Sequence, residues 1–522
     1  MGISCAQLSL SEILRKLVFS LMPPFFRLFP PGSTLFGAWR GFIQVTHAGV
    51  HMLPLQLQHE NRAAELRLLP KLAGAFPFML LSLIFGACAS FVPRSAPDQF
   101  VRVDGEHFVL NGRPYYFAGT NLWYGCYIGS PGETGDRQRL LRELDTLCSI
   151  GLTNLRILAA SEESYLSRSV RPAIQRSPGD LNDSLLQGLD FLLAEMGKRN
   201  MRAVLYLNNY WQWSGGMAAY NSWADGGRGA DPDNPAEGYG PFMAYSARFY
   251  TNTRADSMYR AFVQRIITRK NTVSGTAYTD DPTIMAWQLA NEPRPGPGGE
   301  AALAVFIRWL DETAAYIHSI DPNHLVCSGN EGSITTGFAI EPFMRAHRSD
   351  NIDYLTFHLW PKNWGWFNPD KFEETLPPSQ EKALIYIKDH IAAARQLGKP
   401  IVLEEFGMAR DSAKCAPGAP STARDRYYTR ILGALSDSAW AGAPVAGSNF
   451  WGWGGLAQRN GNDDVWRAGD PFVGDPPQEP QGYNSVFVSD TLTVRILRDH
   501  AANMNGLCTR PVTVLSSPPG SR

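Results

Sequence analysis

The sequence predicts an α/β protein in which eight strands alternate with helices and close into a (β/α)8 (TIM) barrel, with long loops at the carboxyl ends of the strands. Short apolar runs without helical period recur along the chain and alternate with amphipathic helical segments. This alternation requires a parallel sheet that helices cover, and closure into a barrel is the simplest arrangement of eight such units. An open doubly wound sheet is the alternative, but no Gly-rich phosphate loop follows any predicted strand.

The elements follow from the local patterns in order. The run 108–114 predicts a hairpin, because Asn111-Gly112 is a strong two-residue turn signal. Apolar runs predict strands at 115–119, 154–158, 202–207, 283–289, 325–328, 354–357, 401–403 and 445–450. Helical periodicity predicts helices at 137–150, 184–199, 255–270, 300–319, 380–397, 423–439 and 491–503.

Composition indicates a globular protein with a large core. The 522 residues are 44% hydrophobic with a net charge of −1, which gives no reason to expect a nucleic-acid partner. We expect one catalytic domain over residues 100–508 and a monomer. Two long segments, 208–252 and 452–485, hold many of the aromatic residues. Long loops in a compact domain are commonly functional, and flat aromatic rings suit stacking on sugars.

The first 89 residues predict export. Arg67 and Lys71 precede the apolar stretch 72–84, which is followed by small residues around Cys88, so residues 66–89 are interpreted as a signal segment. Small residues before Cys88 indicate a bacterial lipoprotein with Cys88 as the lipidated amino terminus, and this anchor would be its only membrane contact. Phe85 departs from the usual pattern, so cleavage after Ala89 stays open, as does a buried helix of the fold. Residues 1–65 are unassigned, and an over-extended gene start is the hypothesis for them.

Two glutamates stand where predicted strands end. Glu292 follows the apolar run 283–289, and Glu404 and Glu405 follow the run 401–403. The carboxyl ends of barrel strands are where such enzymes carry their chemistry. Cleavage of a glycosidic bond requires one carboxylic acid and one carboxylate, so this pair indicates a glycosidase. Neighbours on a strand point to opposite faces, so we expect only one of Glu404 and Glu405 to face the site, and the pattern does not choose.

Other polar and aromatic residues share these strand ends. Arg156 lies inside a buried run and needs a partner, which a glutamate across the barrel would provide. The candidate substrate-binding residues at or near strand ends are Arg156, Asn291, His358, Trp360, Trp451, Arg294, Trp123, Asn209 and Trp211.

Other reaction classes fit less well. Ser448 lacks the Gly-x-Ser-x-Gly elbow, no His-Glu-x-x-His occurs, and the histidines show no metal-ligand spacing, so we predict neither a metal nor a cofactor. Five cysteines in the predicted domain (Cys126, Cys148, Cys327, Cys415 and Cys508) permit disulfides but do not specify their pairing.

From about residue 100 to 505 the sequence resembles glycoside hydrolase family 5, in particular its β-1,4-mannanase branch. The similar segments are 208–211, 269–272, 280–284, 291–294, 352–358 and 404–407. The resemblance implies a (β/α)8 barrel and a retaining double displacement without a metal. It implies that Glu292 is the acid/base and Glu405 the nucleophile.

The resemblance also implies roles for five other residues. Asn291 would contact the sugar 2-hydroxyl, Arg156 would support the nucleophile, and His358 would line the −1 subsite. Trp451 would lie under the −1 sugar, and Arg294 would lie near substrate hydroxyls. One departure is Trp360, which stands where the family commonly has Tyr. The indole N–H can donate a hydrogen bond, but it is not equivalent to a phenolic hydroxyl.

The implied activity is internal cleavage of mannan, with mannan or manno-oligosaccharides as substrate. The close alternative is an exo-acting β-mannosidase, in which the long loops 208–252 and 452–485 wall off one end of the cleft. A non-catalytic glycan-binding lipoprotein has no need of two carboxylates, and transglycosylation would share the covalent intermediate.

Overall fold

The computed structural model describes residues 44–46, 49–51, 99–460 and 463–509. The chain divides into two compact units, residues 1–92 and 93–522. In the first unit, strands Gln44–Thr46 and Gly49–His51 pair antiparallel. The predicted signal segment 66–89, with Cys88, lies outside the described residues. Within the described part of the chain, no helix combines the length and apolar character needed to cross a membrane.

The second unit is a parallel eight-stranded barrel, which confirms the predicted fold class. Its strands are β1 (Phe117–Asn121), β2 (Asn154–Leu158), β3 (Arg202–Tyr206), β4 (Ile284–Gln288), β5 (Leu325–Cys327), β6 (Leu355–Leu359), β7 (Ile401–Phe406) and β8 (Val445–Phe450). They are hydrogen-bonded in the order β5-β4-β3-β2-β1-β8-β7-β6. A parallel bridge from Cys327 to Tyr354 joins β5 to the start of β6 and so nearly closes the barrel.

Eight helices follow the eight strands and cover the barrel. They are α1 (Arg137–Ser149), α2 (Asp183–Lys198), α3 (Thr253–Ile267), α4 (Gly299–Ile320), α5 (Ile340–Ala346), α6 (Phe372–Leu397), α7 (Thr422–Trp440) and α8 (Thr491–Leu507). The periodicity missed α5, which spans 7 residues and is too short to show a clear helical period. Helix α6 begins at Phe372, eight residues before the predicted start at Gln380. The predicted start is too late because proline usually marks a helix boundary, whereas Pro377 and Pro378 lie inside this helix.

The predicted hairpin is present and covers the amino-terminal end of the barrel. Strand His107–Leu110 pairs antiparallel with both Arg102–Asp104 and Arg113–Pro114. Asn111 and Gly112 have φ angles of 55° and 70°, as the turn signal requires. Phe108 is fully buried in a cluster with side chains from the barrel strands, so this end is filled with apolar packing.

The long segments at the opposite end contain secondary structure of their own. Segment 208–252 holds helices Gly216–Asp225 and Tyr239–Ala247, and segment 452–485 begins with strand Trp453–Gly455, which pairs with Val486–Phe487. The remaining short elements are helix Gly125–Gly129, strands Gln175–Ser177 and Asp180–Leu181, and 3-10 turns Gln212–Ser214, Arg248–Thr251, Tyr278–Asp280, Ser333–Thr336, Pro369–Lys371 and Asp411–Ala413.

A buried carboxylate on α2 holds the segment that leads into β4. Asp190 is fully buried and accepts hydrogen bonds from the Arg269 guanidinium at 2.9 and 2.6 Å and from the hydroxyls of Thr272 and Tyr278, both at 2.7 Å. Burial alone would raise the pKa of Asp190, but these donors hold it below its ordinary value. Arg269 also lies 3.6 Å from Asp183, whose side chain is 69% exposed.

We expect Asp190→Ala to lower the free energy of unfolding by about 3–5 kcal/mol, because it leaves the Arg269 charge without its buried partner. Since the native pKa of Asp190 is lowered, its contribution is complete above the unfolded-state pKa of about 3.9 and disappears as the pH falls through the native pKa. Urea unfolding of the full chain, followed by tryptophan fluorescence at neutral and acidic pH, measures both effects.

The matched control is Asp183→Ala, which removes an exposed partner of the same arginine and should change stability by less than about 1 kcal/mol. Equal losses for the two variants would contradict the assignment of Asp190 as the anchor of this segment.

Candidate active site

The candidate acid/base, Glu292, lies just beyond β4 at the carboxyl end of the barrel. Its φ angle of 50° is unusual for a residue with a side chain. The Glu292 N–H donates to the Gly329 carbonyl at 2.9 Å, and Asn291 forms a parallel bridge with Asn209. These main-chain contacts on both sides hold the strained conformation in place.

The Glu292 carboxylate is held by two donors. Its Oε1 lies 2.6 Å from Nδ1 of His358, and its Oε2 accepts a hydrogen bond of 2.5 Å from the Trp211 indole. Trp211 comes from the segment after β3, and His358 is in β6. Strand β6 and the segments that follow β3 and β4 therefore place this carboxylate.

The candidate nucleophile, Glu405, lies in β7 and is also buried. Its Oε1 accepts a 3.0 Å hydrogen bond from Arg156, and its Oε2 accepts one of 3.1 Å from the Trp360 indole and lies 3.0 Å from Nδ1 of His358. Burial alone would raise the pKa of Glu405, but the positive charges of His358 and Arg156 lower it below its usual range. The carboxyl is therefore held in its ionised, nucleophilic form.

His358 lies between the two candidate carboxyls. Burial alone would lower the pKa of His358, but the charge of Glu405 and hydrogen bonds to the glutamates raise it well above its usual value. One oxygen each of Glu292 and Glu405, together with a nitrogen of His358, lie within 4.8 Å of one another. This trio is a sterically possible metal site among the described residues, but Nδ1 of His358 is already shared by both carboxylates.

Both neighbouring glutamates of β7 face the barrel interior, so the expectation that only one would do so is wrong. Leu403 pairs with Phe357 and Glu405 pairs with His358, which leaves Glu404 as the extra residue of a β-bulge. A bulge interrupts the alternation of side chains between the two faces of a strand. Glu404 accepts a 2.6 Å hydrogen bond from Gln288 and lies 3.5 Å from Arg156.

Arg156 connects these side chains, as expected for a buried arginine. Its guanidinium donates to Gln288 at 2.9 Å, Asn121 at 3.1 Å, Asn291 at 2.7 Å and Glu405 at 3.0 Å. It also lies 4.6 Å from the centre of the Tyr206 ring. The guanidinium thus contacts side chains of β1, β4 and β7 and of the segment just after β4.

The other predicted substrate-binding residues have different surroundings. Asn209 accepts a 3.1 Å hydrogen bond from Asn291, and Arg294 pairs with Glu331 and lies 4.8 Å from the Trp211 ring. Trp451 is buried beside Trp360, with ring centres 6.3 Å apart.

Trp123 does not join the carboxylate cluster. It is 1% exposed, and its indole N–H donates to the Gly474 carbonyl at 2.9 Å. Trp123 therefore supports the segment 452–485 from beneath.

Sequence reasoning missed two acidic residues near the site. Glu331, after β5, is buried, and its pKa is raised by burial and by Glu292, against the opposing charge of Arg294. Glu479, in the segment after β8, is half-buried, and burial and Asp475 raise its pKa to about 8. Both lie in loops whose sequence patterns do not indicate a fixed position.

The five cysteines of the barrel unit are all unpaired, so the permitted disulfides do not form among the described residues. Cys126, Cys327 and Cys415 are buried.

Comparison with known proteins identifies the family of this chain. Residues 98–508 match the family described as GH family 5 beta-mannosidase-like. The mannan endo-1,4-beta-mannosidase 7 of Arabidopsis thaliana is 32% identical over 396 residues, which cover 73% of this chain and 84% of the relative.

Solved structures of similar proteins have the same architecture. The glycoside hydrolase family 5 mannosidase of Rhizomucor miehei is 35% identical, with a TM-score of 0.72 over 79% of this chain and 99% of that chain. The endo-1,4-beta-mannanase of the same organism is 25% identical, with a TM-score of 0.58 over 78% of this chain and 99% of that chain. The chain therefore belongs to glycoside hydrolase family 5, and it is a glycoside hydrolase of the β-mannosidase-like group.

Proposed function

We propose that the protein hydrolyses β-1,4-mannosidic bonds by a retaining double displacement, with Glu405 as nucleophile and Glu292 as acid/base. The observation that carries this proposal is the approach of the two carboxyls, since an oxygen of Glu292 lies within 4.8 Å of an oxygen of Glu405. Retaining glycosidases hold their carboxyl groups about 5–5.5 Å apart, whereas inverting enzymes need about 6.5–9.5 Å to admit a water molecule. The β-mannosidic substrate is supported by the names of the curated relatives.

In the first step, the Glu405 carboxylate attacks the anomeric carbon while Glu292 donates its proton to the departing glycosidic oxygen. The bond between the sugar and the leaving group breaks, and a glycosyl ester forms on Glu405. Arg156 and Trp360 hold the two Glu405 oxygens, which keeps the nucleophile aligned.

In the second step, Glu292, now ionised, takes a proton from a water molecule that attacks the anomeric carbon. The ester breaks, Glu405 recovers its charge, and the sugar is released with its original configuration. His358 contacts both carboxyls, and its raised pKa favours a positive charge that balances the single negative charge which the pair carries before and after each step. Asn291 is held by Arg156 and Asn209 beside the reacting centre.

Internal cleavage of mannan is the principal candidate activity, because the curated relatives at 30–32% identity are named mannan endo-1,4-beta-mannosidases. The substrate would be a β-mannan chain or a manno-oligosaccharide, and we propose that the protein acts as a monomer.

Exo-acting β-mannosidase activity is the second candidate, and the segment 452–485 favours it. Arg168, in the loop after β2, donates to the Pro477 carbonyl at 3.0 and 2.7 Å. These hydrogen bonds join the loop after β8 to the loop after β2, and β1 lies between these two strands. In the ring of eight strands, β8 stands opposite β4, which precedes Glu292. A wall at this position would block sugars beyond the one attacked and leave the leaving-group side open.

We also propose that the protein is exported through the segment 66–89. A lipid anchor at Cys88 would hold it at a bacterial envelope, whereas cleavage after Ala89 would release it as a secreted protein. The support is the order of basic residues, apolar stretch and small residues in the sequence.

For export, we expect mass spectrometry of the chain made in a bacterial host to show a mature protein that begins at Cys88 and carries lipid. Cys88→Ala should abolish lipid labelling. A mature chain that begins after Ala89 would indicate plain secretion, and a chain that retains residues 66–89 would contradict both forms of the proposal.

For the reaction, a time course on β-1,4-mannan and mannohexaose should give products with the wild-type chain. Glu405→Ala and Glu292→Ala should both lose activity, since removal of a general acid/base alone costs about 10²–10⁴-fold in rate. A ladder of oligosaccharides with early loss of viscosity would identify an endo-mannanase, and mannose alone from the start would identify an exo-mannosidase.

The control is Glu404→Gln, which changes the neighbouring buried glutamate but leaves the Glu405 contacts with Arg156, His358 and Trp360 in place. It should retain measurable turnover. Full activity of Glu292→Ala would contradict the mechanism, and the absence of any product from the wild-type chain would contradict the substrate.

For the nucleophile, Trp360→Phe should lower kcat/KM about tenfold, because it removes one hydrogen bond to the Glu405 carboxylate. The acidic limb of the pH–rate profile should move to higher pH, since Glu405 must be ionised and one donor that favours its ionised form is gone. Trp466→Phe is the control, because the buried Trp466 indole has no hydrogen-bond partner among the residues that the structure describes. An unchanged acidic limb in Trp360→Phe would contradict the role of this indole.

A further inference from the structure

A group of exposed aromatic rings lies on the catalytic end of the barrel, in the loops after β5 and β6. Phe338 is 44% exposed, and Trp364 and Trp366 are half-buried. The Phe338 and Trp366 rings are stacked, with centres 5.5 Å apart and planes at 28°, and Trp364 meets Phe338 edge-on at 5.8 Å. We call these three residues the aromatic platform.

The backbone conformation of Phe338 is energetically unfavourable. Its φ angle of 67° lies in the left-handed region, where a bulky side chain is a clear outlier. The Phe338 N–H donates to the Ser333 carbonyl at 2.8 Å, which closes the turn. Strain of this kind persists where the surrounding structure enforces it and is concentrated at ligand-binding positions.

The platform is continuous with the catalytic site along the β6 loop. Trp360, whose indole contacts Glu405, accepts a 3.0 Å hydrogen bond from the Trp364 N–H through its carbonyl. Tyr386 lies beneath the platform and donates to the Glu331 carbonyl at 3.0 Å, and Glu331 pairs with Arg294. The platform is therefore connected through Trp360 and Tyr386 to the residues that surround Glu292 and Glu405.

The position of the platform in the ring of strands indicates which part of a substrate it would meet. Glu292 follows β4 and donates its proton to the leaving group in the proposed mechanism. The platform loops follow β5 and β6, which lie between β4, the strand before Glu292, and β7, which carries Glu405, and which stand opposite the walled-off side at β8, β1 and β2. A leaving group of several sugars would therefore run toward the platform.

We infer that the aromatic platform of Phe338, Trp364 and Trp366 is a binding site for the sugar rings of the leaving-group side of a β-linked mannan or manno-oligosaccharide. The apolar faces of β-linked pyranoses suit flat exposed rings, and aromatic side chains offer large contact areas at low conformational cost. The ammonium of Lys382 lies 5.8 Å from the Trp366 ring, where it can also meet sugar hydroxyls. This inference rests on the proposed function but holds for both endo and exo action.

The test measures binding by calorimetry in a Glu405→Gln background, with mannobiose and mannohexaose as ligands. Phe338→Gly removes the ring contacts with Trp364 and Trp366 but relieves the left-handed strain, so the variant should fold, which its midpoint of thermal unfolding checks. The affinity for mannohexaose should fall about five- to tenfold, and that for mannobiose, which offers fewer sugar rings to the platform, should fall by a smaller factor. Phe338→Asn provides a second variant that tolerates the left-handed conformation.

Trp440→Ala is the matched control, because Trp440 is 42% exposed at the carboxyl end of α7, which leads into the amino-terminal end of β8. The inference is overturned if Phe338→Gly and Phe338→Asn leave the mannohexaose affinity unchanged, or if Trp440→Ala weakens it equally. Failure of the proposed function would look different, since the wild-type chain would then release no product from any β-mannoside.

Discussion

The buried guanidinium of Arg156 is the interaction on which the catalytic end of the barrel depends. A charge in a dry interior is tolerated only where it is paired and fully hydrogen-bonded. Arg156 meets this requirement through Asn121 of β1, Gln288 of β4, Asn291, and Glu405 of β7. The contacts with Gln288, Asn291 and Glu405 link β2 to strands that are not its neighbours in the sheet, so the arginine fixes the distances between strands far apart in sequence. The same contacts place the candidate nucleophile.

Two local departures from regular strand geometry aim the carboxyls at each other. The bulge at Glu404 turns both glutamates of β7 inward, where Glu404 pairs with Gln288 and leaves Glu405 free to contact His358 and Trp360. The left-handed conformation of Glu292 directs its carboxyl toward His358. Regular strands would have placed one glutamate on the outer face, so the short distance between Glu292 and Glu405 depends on both irregularities.

Much of this fold could be predicted from the sequence, because buried parallel strands leave continuous apolar runs and amphipathic helices leave a period of 3.6. The strands 154–158 and 445–450 were predicted with the bounds that the structure has. Helix α5 was missed because two turns do not establish a period. The start of α6 was misplaced because proline usually marks a helix boundary. The bulge at Glu404 could not be predicted, because it depends on how the strands pair, and a single sequence does not reveal that pairing. Glu331 and Glu479 stand in loops, where neighbours are decided by tertiary contacts rather than by local pattern.

The distribution of loops around the ring gives the site a direction. The loop after β8 is held by Arg168, Trp123 and the buried Arg424, whose guanidinium donates to the carbonyls of Tyr483 and Ser485, both at 3.0 Å. On the opposite side, Arg294 and Glu331 neutralise each other beside Glu292 and leave the aromatic residues beyond them accessible. The polar loop after β8 lies on one side of the site, and the aromatic rings lie on the other. The two ends of a bound sugar chain would therefore have different surroundings. In the proposed function, the β8 loop would limit how many sugars can precede the cleaved bond, and the β5 and β6 loops would determine how firmly the sugars after it are held.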